Sequence, residues 1–170
     1  ENEWKFLRSS SLSDFAICLH RVSLKSGSRL IRGSDIREQI SFPSPNDYAA
    51  ALKHAAIGWF KKIRCSISED LWSRYAHGGD LKVFTSWILS AAASSAFEKS
   101  QIFMPKKSEF VPRYERFVGD TWVPLMRDVH ELVWKRWRTQ LPTSHAEKQR
   151  LLQIFDLARN FEESFVSAHS

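Results

Sequence analysis

Apolar residues recur three and four positions apart over residues 48–63, which predicts one amphipathic helix there. The stripe consists of Tyr48, Leu52, Ala55, Ala56, Trp59, Phe60 and Ile63. Ser44, Pro45 and Asp47 precede it, and these residue types favour an N-cap, a first helical position and the acid of a capping box. We therefore expect the helix to begin at Pro45.

The breaks in this pattern delimit two further helices. A short one is expected from Ser68 to the double glycine at 78–79, and Asp80 is expected to cap the next. That second helix should end just before Pro105. Its stretch SAAASSA (90–96) presents small side chains, which let a neighbouring helix approach closely. We therefore expect it at the centre of the fold.

Two helices are predicted in the last third of the chain. One begins at Asp120 or Thr121 and ends at Pro142, because proline cannot continue a helix. The other follows a capping box at 144–147 and carries an apolar stripe over residues 151–165.

Two segments lack a clear helical period. Residues 105–117 contain two prolines and dense charge, so we expect a long connection that crosses the surface. Residues 13–24 fit a helix stopped by Gly27, which we favour, and also a strand that leads into a turn. The sequence therefore predicts a single mostly α domain over residues 1–170. It should be a compact bundle of five to seven helices, with an extra helix or a short β hairpin before residue 43.

The positive charge is concentrated in three blocks. The net charge is +6 and the pI is about 9.5, which favours polyanionic partners such as nucleic acid. Residues 20–37 hold five basic and one acidic residue, residues 48–68 four basic and none acidic, and residues 105–138 eight basic and five acidic. A nucleic-acid footprint needs these blocks on one face, whereas solvated helix ends collect Lys and Arg in any protein.

The stretch HELVWKRWRTQLP (130–142) interleaves two tryptophans with basic residues. On an α-helical wheel, the core face of this helix consists of Trp122, Leu125, Met126, Val129, Leu132, Val133 and Trp137. A separate flank consists of Arg127, His130, Trp134 and Arg138. Arg136 projects from the core face, so it should need an acidic partner or an anionic ligand there.

Three roles are open for Trp134. An indole beside arginines can stack on an unpaired base, which contributes roughly 1–3 kcal/mol per base. It can instead pack beneath a neighbouring segment with arginines on its face, and we favour this arrangement because large aromatic side chains are usually well buried. It can also form a hot spot for a protein partner. The exposure of the indole decides between the first two roles.

The sequence lacks the spacings of known catalytic and metal sites. No histidines or cysteines have the spacing of zinc ligands, the double glycine at 78–79 lacks the following Lys-Ser/Thr of a P-loop, and GxSxG is absent. No apolar run reaches the ~20 residues of a membrane span. Cys18 and Cys65 form no paired motif, which is typical of a reducing, intracellular setting, with a single bridge between them as the alternative. We therefore expect no enzymatic activity, no metal and no cofactor.

These patterns favour a non-enzymatic nucleic-acid-binding module for RNA or another single strand. The expected contact residues are Arg127, His130, Trp134, Arg136 and Arg138 on one helix, Lys61, Lys62 and Arg64 on another, and Lys106, Lys107 and Arg113 on the connection. The alternative is a protein-interaction or assembly domain of a larger, viral or effector-type protein. In that case the aromatic and arginine flank would bind an acidic protein surface.

Overall fold

The computed structural model describes residues 14–30, 33–64, 78–137 and 139–169 of the 170, with the backbone alone described at 58–64 and 78–80. Within these ranges the α-helices are α1 (Asp14–Val22), α2 (Pro45–Arg64), α3 (Gly78–Ser100), α4 (Phe110–Phe117), α5 (Val123–Asp128) and α6 (His145–His169). Two π-helical stretches, Ser23–Gly27 and Val129–Trp137, continue α1 and α5, and 3-10 turns lie at Arg37–Gln39 and Lys107–Glu109. No strand occurs in the described ranges, so the mostly α bundle is confirmed. The described part of the segment before residue 43 contains a helix and not a hairpin.

Ser44 and Ser144 both cap their helices, and the complete reciprocal capping box forms at Ser144. The Asp47 N–H donates to the Ser44 Oγ over 3.1 Å, and the Ser44 hydroxyl donates to the Asp47 carboxylate over 2.6 Å. At α6 the Glu147 N–H donates to the Ser144 Oγ over 3.3 Å, while the Ser144 N–H donates to the Glu147 carboxylate over 3.4 Å. These bonds satisfy N–H groups that have no acceptor inside the helix, and so they fix where α2 and α6 begin.

α3 lies at the centre of the bundle, as its small residues predict. Its completely buried alanines are Ala91, Ala92, Ala93 and Ala96. Helices α2, α4, α5 and α6 all contact α3. Alanine side chains let the backbones of these neighbours come close while the interior stays densely packed.

α2 and α3 run antiparallel. Tyr48 in the first turn of α2 packs edge-on against Phe97 near the end of α3, with ring centroids 4.8 Å apart. The Tyr48 hydroxyl also donates to the carbonyl of Met104, just beyond α3, over 3.1 Å. The start of α2 therefore lies beside the end of α3, and the end of α2 lies beside the start of α3.

α6 runs parallel to α3. Phe84 in the first half of α3 contacts Phe155 of α6 with ring centroids 4.7 Å apart. Glu98 near the end of α3 lies 3.3 Å from the His169 Nε2 at the end of α6. Lys53 of α2 donates to the His169 carbonyl over 2.6 Å, so the last turn of α6 contacts both other long helices.

α5 with its π-helical continuation runs antiparallel to α6. Trp122, which precedes α5, packs on Phe161 with ring centroids 5.6 Å apart, while Arg136 pairs with Glu147 in the first turn of α6. Four helix ends therefore lie at the same end of the bundle. They are the end of α2, the start of α3, the end of the π-helical stretch and the start of α6.

The prediction of a long surface connection over residues 105–117 was wrong. This segment contains a 3-10 turn and the whole of α4, which packs on α3. The buried side chains of α4 are Phe110, Val111 and Tyr114. Pro112 lies in the first turn of α4, where a backbone N–H has no acceptor inside the helix, so proline does not interrupt it.

The predicted start of α3 was also wrong. The described part of the helix starts at Gly78 and includes both glycines and Asp80, so Asp80 lies within the helix and is not its cap. The short helix predicted from Ser68 lies outside the described residues.

Replacing the buried alanine in Ala92→Leu should lower the free energy of unfolding by about 1–3 kcal/mol, because added methylenes force the packed helices apart. Urea denaturation followed by circular dichroism measures the change. Lys99→Leu, at an exposed position of the same helix, should change stability by less than about 0.5 kcal/mol. Equal effects of the two substitutions would contradict close packing at Ala92.

Candidate functional site

The helix predicted to carry the binding flank is α-helical only over Val123–Asp128 and continues as a π-helix over Val129–Trp137. It therefore ends before Pro142. A π-helix bonds residue i to residue i+5 and turns through a smaller angle per residue than an α-helix. An α-helical wheel therefore becomes less accurate beyond residue 128.

The core face predicted on that wheel is largely confirmed. Its buried members are Leu125, Met126, Val129, Val133 and Trp137, and its half-buried members are Trp122 and Leu132. The placement of two other residues was wrong. His130 was expected on the flank and is only 6% exposed, whereas Arg136 was expected on the core face and its side chain is 56% exposed. The slower turn of the π-helix carries Arg136 out to solvent, whereas His130, the second residue of the stretch, is buried against the core.

Trp134 is half-buried and packs against His130. The two rings stack with centroids 5.0 Å apart and an interplanar angle of 28°. The His130 Nδ1 lies 2.7 Å from the Glu131 carboxylate, and its Nε2 is buried without a hydrogen-bond partner among the described residues. The indole is thus backed by a buried imidazole while part of it stays at the surface.

Arg136 has an acidic partner, as the sequence required. Its guanidinium pairs with the Glu147 carboxylate of α6. Hydrogen bonds from Ser144 hold the pKa of Glu147 below its ordinary value of 4.5, and the charge of Arg136 lowers that pKa further. The pair lies at the surface, so it closes the junction between the π-helical stretch and α6 without burying a charge.

Two other arginines of the predicted interface also pair with carboxylates. The Arg127 Nε lies 2.5 Å from the Glu115 carboxylate of α4, and this hydrogen bond lowers the pKa of Glu115. Arg113 lies 3.3 Å from Glu109, one turn earlier on the chain. Arg127 therefore points towards α4. Arg136 instead lies near the end of the π-helical stretch and points towards α6.

The remaining predicted contact residues are only partly described. The Lys107 ammonium donates to the Ser86 Oγ of α3 over 2.6 Å, and Lys106 is exposed. Arg138 lies outside the described residues. The last turn of α2 is described through its backbone, so the side chains of Lys61, Lys62 and Arg64 also lie outside.

Four helix ends that carry basic residues meet at one end of the bundle, which we call the basic end. It consists of the last turn of α2 with Lys61, Lys62 and Arg64, the start of α3 with Lys82, the end of the π-helical stretch with Lys135 and Arg136, and the start of α6 with Lys148. Lys82 is exposed, and counting charges along the sequence missed it because acidic residues outnumber basic ones over 69–104. Only the antiparallel packing of α2 and α3 reveals it.

The basic block at 20–37 lies at the other end of the bundle, beside the start of α2. The Arg21 Nε donates to the Ser41 carbonyl over 3.1 Å, and the Lys25 ammonium donates to the Arg37 carbonyl over 3.3 Å. The three basic blocks of the sequence therefore do not share one face.

A cavity of about 520 Å³ lies between α1 and the start of α2, and Cys18, Arg21 and Asp47 are among the residues that line it. Burial raises the pKa of the Cys18 thiol, and the nearby Asp47 raises it further. The thiol is therefore protonated at neutral pH and is not activated as a nucleophile. Cys65 lies outside the described residues.

Other kinds of site find no support in the part of the chain that the structure describes. No group of three or more His, Cys, Asp or Glu side chains there is arranged to hold a metal ion. None of the helices described has the length and apolar character needed to cross a membrane. Comparison with protein-family models, with curated proteins and with solved structures gives no match. The basic end and Trp134 are therefore the features of the described structure that bear on function.

Glu147→Gln should lower the unfolding midpoint at pH 7. Because the pKa of Glu147 is lowered by folding, its charge stabilises the fold above its ordinary pKa of 4.5, and this stabilisation disappears as the pH falls through the lowered value. The difference in unfolding midpoint between Glu147→Gln and the wild type should therefore disappear at acidic pH. Thermal unfolding measured from neutral to acidic pH checks this. Glu163→Gln, at an exposed position of the same helix, is the control and should show no such difference.

Proposed function

We propose that this protein is a non-enzymatic module that binds single-stranded nucleic acid, RNA included, through its basic end. The observation that carries the proposal is the meeting of basic positions from α2, α3, the π-helical stretch and α6 at one end of the bundle. Two of them, Lys135 and Arg136, lie within one turn of the half-buried Trp134. Phosphate groups supply the charge that such a surface attracts, and bases supply the flat apolar surface that stacks on an indole.

The ion pairs at the basic end do not prevent phosphate binding. Arg136 pairs with Glu147 and Lys135 pairs with Glu131, but all four side chains are at the surface. Exposed ion pairs contribute little to stability, so exchanging a carboxylate for a phosphate costs little. Lys82 has no carboxylate partner within the described residues and is exposed. Lys82 is therefore available to a ligand without the loss of an ion pair to a described carboxylate.

Trp134 has the features of a stacking platform. His130 packs at 5.0 Å against the indole and is itself buried, so the indole is held in one position before a ligand arrives. A fixed aromatic side chain loses little conformational freedom on binding, which favours affinity. Stacking accepts any base, and the proposed binding should therefore depend weakly on sequence.

Lys82→Glu should weaken the binding of a short fluorescein-labelled single-stranded RNA, measured by fluorescence anisotropy. Affinity of the wild type should fall as salt rises over roughly 50–200 mM, because binding to phosphates releases counterions. Losing one phosphate contact should reduce the slope of log affinity against log salt by about 1.

Lys99→Glu is the matched control for Lys82→Glu. Both lysines are exposed on α3, at opposite ends of the helix, and both substitutions change the net charge equally. The control should leave the salt slope unchanged. No binding by the wild type at low salt, or the same loss in both variants, would contradict binding at the basic end.

Trp134→Leu should weaken RNA binding by about tenfold at every salt concentration while leaving the salt slope unchanged, because stacking releases no counterions. Anisotropy measured over a range of salt concentrations separates the contribution of stacking to RNA affinity from that of the phosphate contacts. Trp122→Leu is the control, since Trp122 is also half-buried but packs on Phe161 of the neighbouring helix. If the loss of RNA affinity in Trp134→Leu changed with the salt concentration, a stacking role for Trp134 would be excluded.

A further inference from the structure

Two large apolar side chains are exposed at the end of the bundle opposite the basic end. Phe42 is 40% exposed and Ile102 is 41% exposed. The half-buried Phe103 follows Ile102 in the chain, and its ring stacks on Phe42 with centroids 5.0 Å apart and an interplanar angle of 22°. Phe103 also contacts the buried rings of Tyr48 and Phe97 at 5.0 and 5.4 Å. We call Phe42, Ile102 and Phe103 the apolar patch, and these contacts anchor it in the core.

The backbone beside the patch is held in a strained conformation. Gln101 has φ of 55°, in the left-handed region, which costs a residue with a side chain roughly 1–2 kcal/mol. Its N–H donates to the Phe97 carbonyl over 2.7 Å and so closes α3. Such strain persists only where the surroundings fix the chain. Ile102 and Phe103 therefore leave α3 in a defined direction.

Two cations are fixed beside Phe42. The Lys25 ammonium lies 5.5 Å from the centroid of the Phe42 ring and donates to the Arg37 carbonyl. Arg21 donates to the carbonyl and the hydroxyl of Ser41, the residue before Phe42. These acceptors are neutral, and neither cation pairs with a carboxylate among the described residues. Arg113, Arg127 and Arg136, by contrast, all have carboxylate partners.

We propose that the apolar patch, with Arg21 and Lys25, is a docking surface for an acidic protein segment that carries an aromatic or large aliphatic anchor residue. The anchor would pack on Phe42 and Ile102, and its flanking carboxylates would pair with the two cations. Exposed aromatic side chains beside arginine are the residue types that dominate the energetics of protein interfaces.

The geometry of Phe42 favours a protein segment over a base. Phe103 stacks on one face of the ring and Lys25 lies over the ring, so what remains for a ligand is the ring edge. An edge suits contact with another side chain, whereas a base needs an open face. A second copy of this chain is disfavoured because it would bring a net charge of +6 to the two cations.

A display library of random peptides, selected on the full chain after nuclease treatment, tests the proposal. Enriched peptides should be net negative and should contain an aromatic or large aliphatic residue. Anisotropy with one such labelled peptide should show about a tenfold rise in Kd for Phe42→Ser and for Lys25→Glu, the size expected for hot-spot residues. Leu157→Ser is the matched control, because Leu157 is also 40% exposed but lies on α6. It should leave the Kd unchanged.

Several results would overturn the proposal. The selection could enrich no peptides, or it could enrich neutral or basic ones. The peptide Kd could also stay unchanged in both Phe42→Ser and Lys25→Glu while their circular dichroism shows that they are folded. If the wild type bound phosphatidylserine vesicles more strongly than it bound the peptide, and Phe42→Ser abolished that binding, the patch would be assigned to membranes instead. This docking surface is independent of RNA binding, so a single-stranded RNA should not displace the peptide. Either activity can fail without the other.

Discussion

Close contact between helix backbones at the alanines of α3 is the constraint on which the rest of the bundle depends. Ala91, Ala92, Ala93 and Ala96 have no exposed surface, and every other long helix contacts α3. Larger side chains at these positions would keep the neighbouring helices apart and leave voids between them. Aromatic contacts of α3, among them Tyr48–Phe97 and Phe84–Phe155, show in which direction α2 and α6 run along it.

These directions give the two ends of the bundle different chemistry. One end collects cations from helices that are distant in sequence, beside an indole held by His130. The other end combines exposed apolar side chains with two cations that neutral oxygen atoms hold in place. About the length of α3 separates the two ends, so the nucleic acid proposed for one end would leave the surface proposed for an acidic protein segment uncovered at the other. Net charge alone would not distinguish the two ends.

The features predicted correctly from the sequence are those that depend on neighbouring residues. Ser44 with Asp47 and Ser144 with Glu147 cap helices through bonds that span three residues, and the small side chains of 90–96 exclude a surface position. The features that were missed depend on distant contacts. Within residues 105–117, Phe110–Phe117 forms a helix because α3 offers an apolar surface to Phe110 and Val111. Lys82 joins the basic end only through the packing of α2 on α3, and no local pattern marks it.

The π-helical stretch could not be foreseen from apolar spacing, because Val129, Val133 and Trp137 fit both helix types. Arg136 distinguishes them. In an α-helical register its guanidinium would lie on the core face, away from Glu147, and burying an unpaired charge is costly. The surface pair of Arg136 and Glu147 matches the π-helical register, in which the Arg136 side chain is 56% exposed. The same stretch carries His130, buried and stacked on Trp134, so the exposed charge and the support beneath the indole belong to one element whose hydrogen bonds run from residue i to residue i+5.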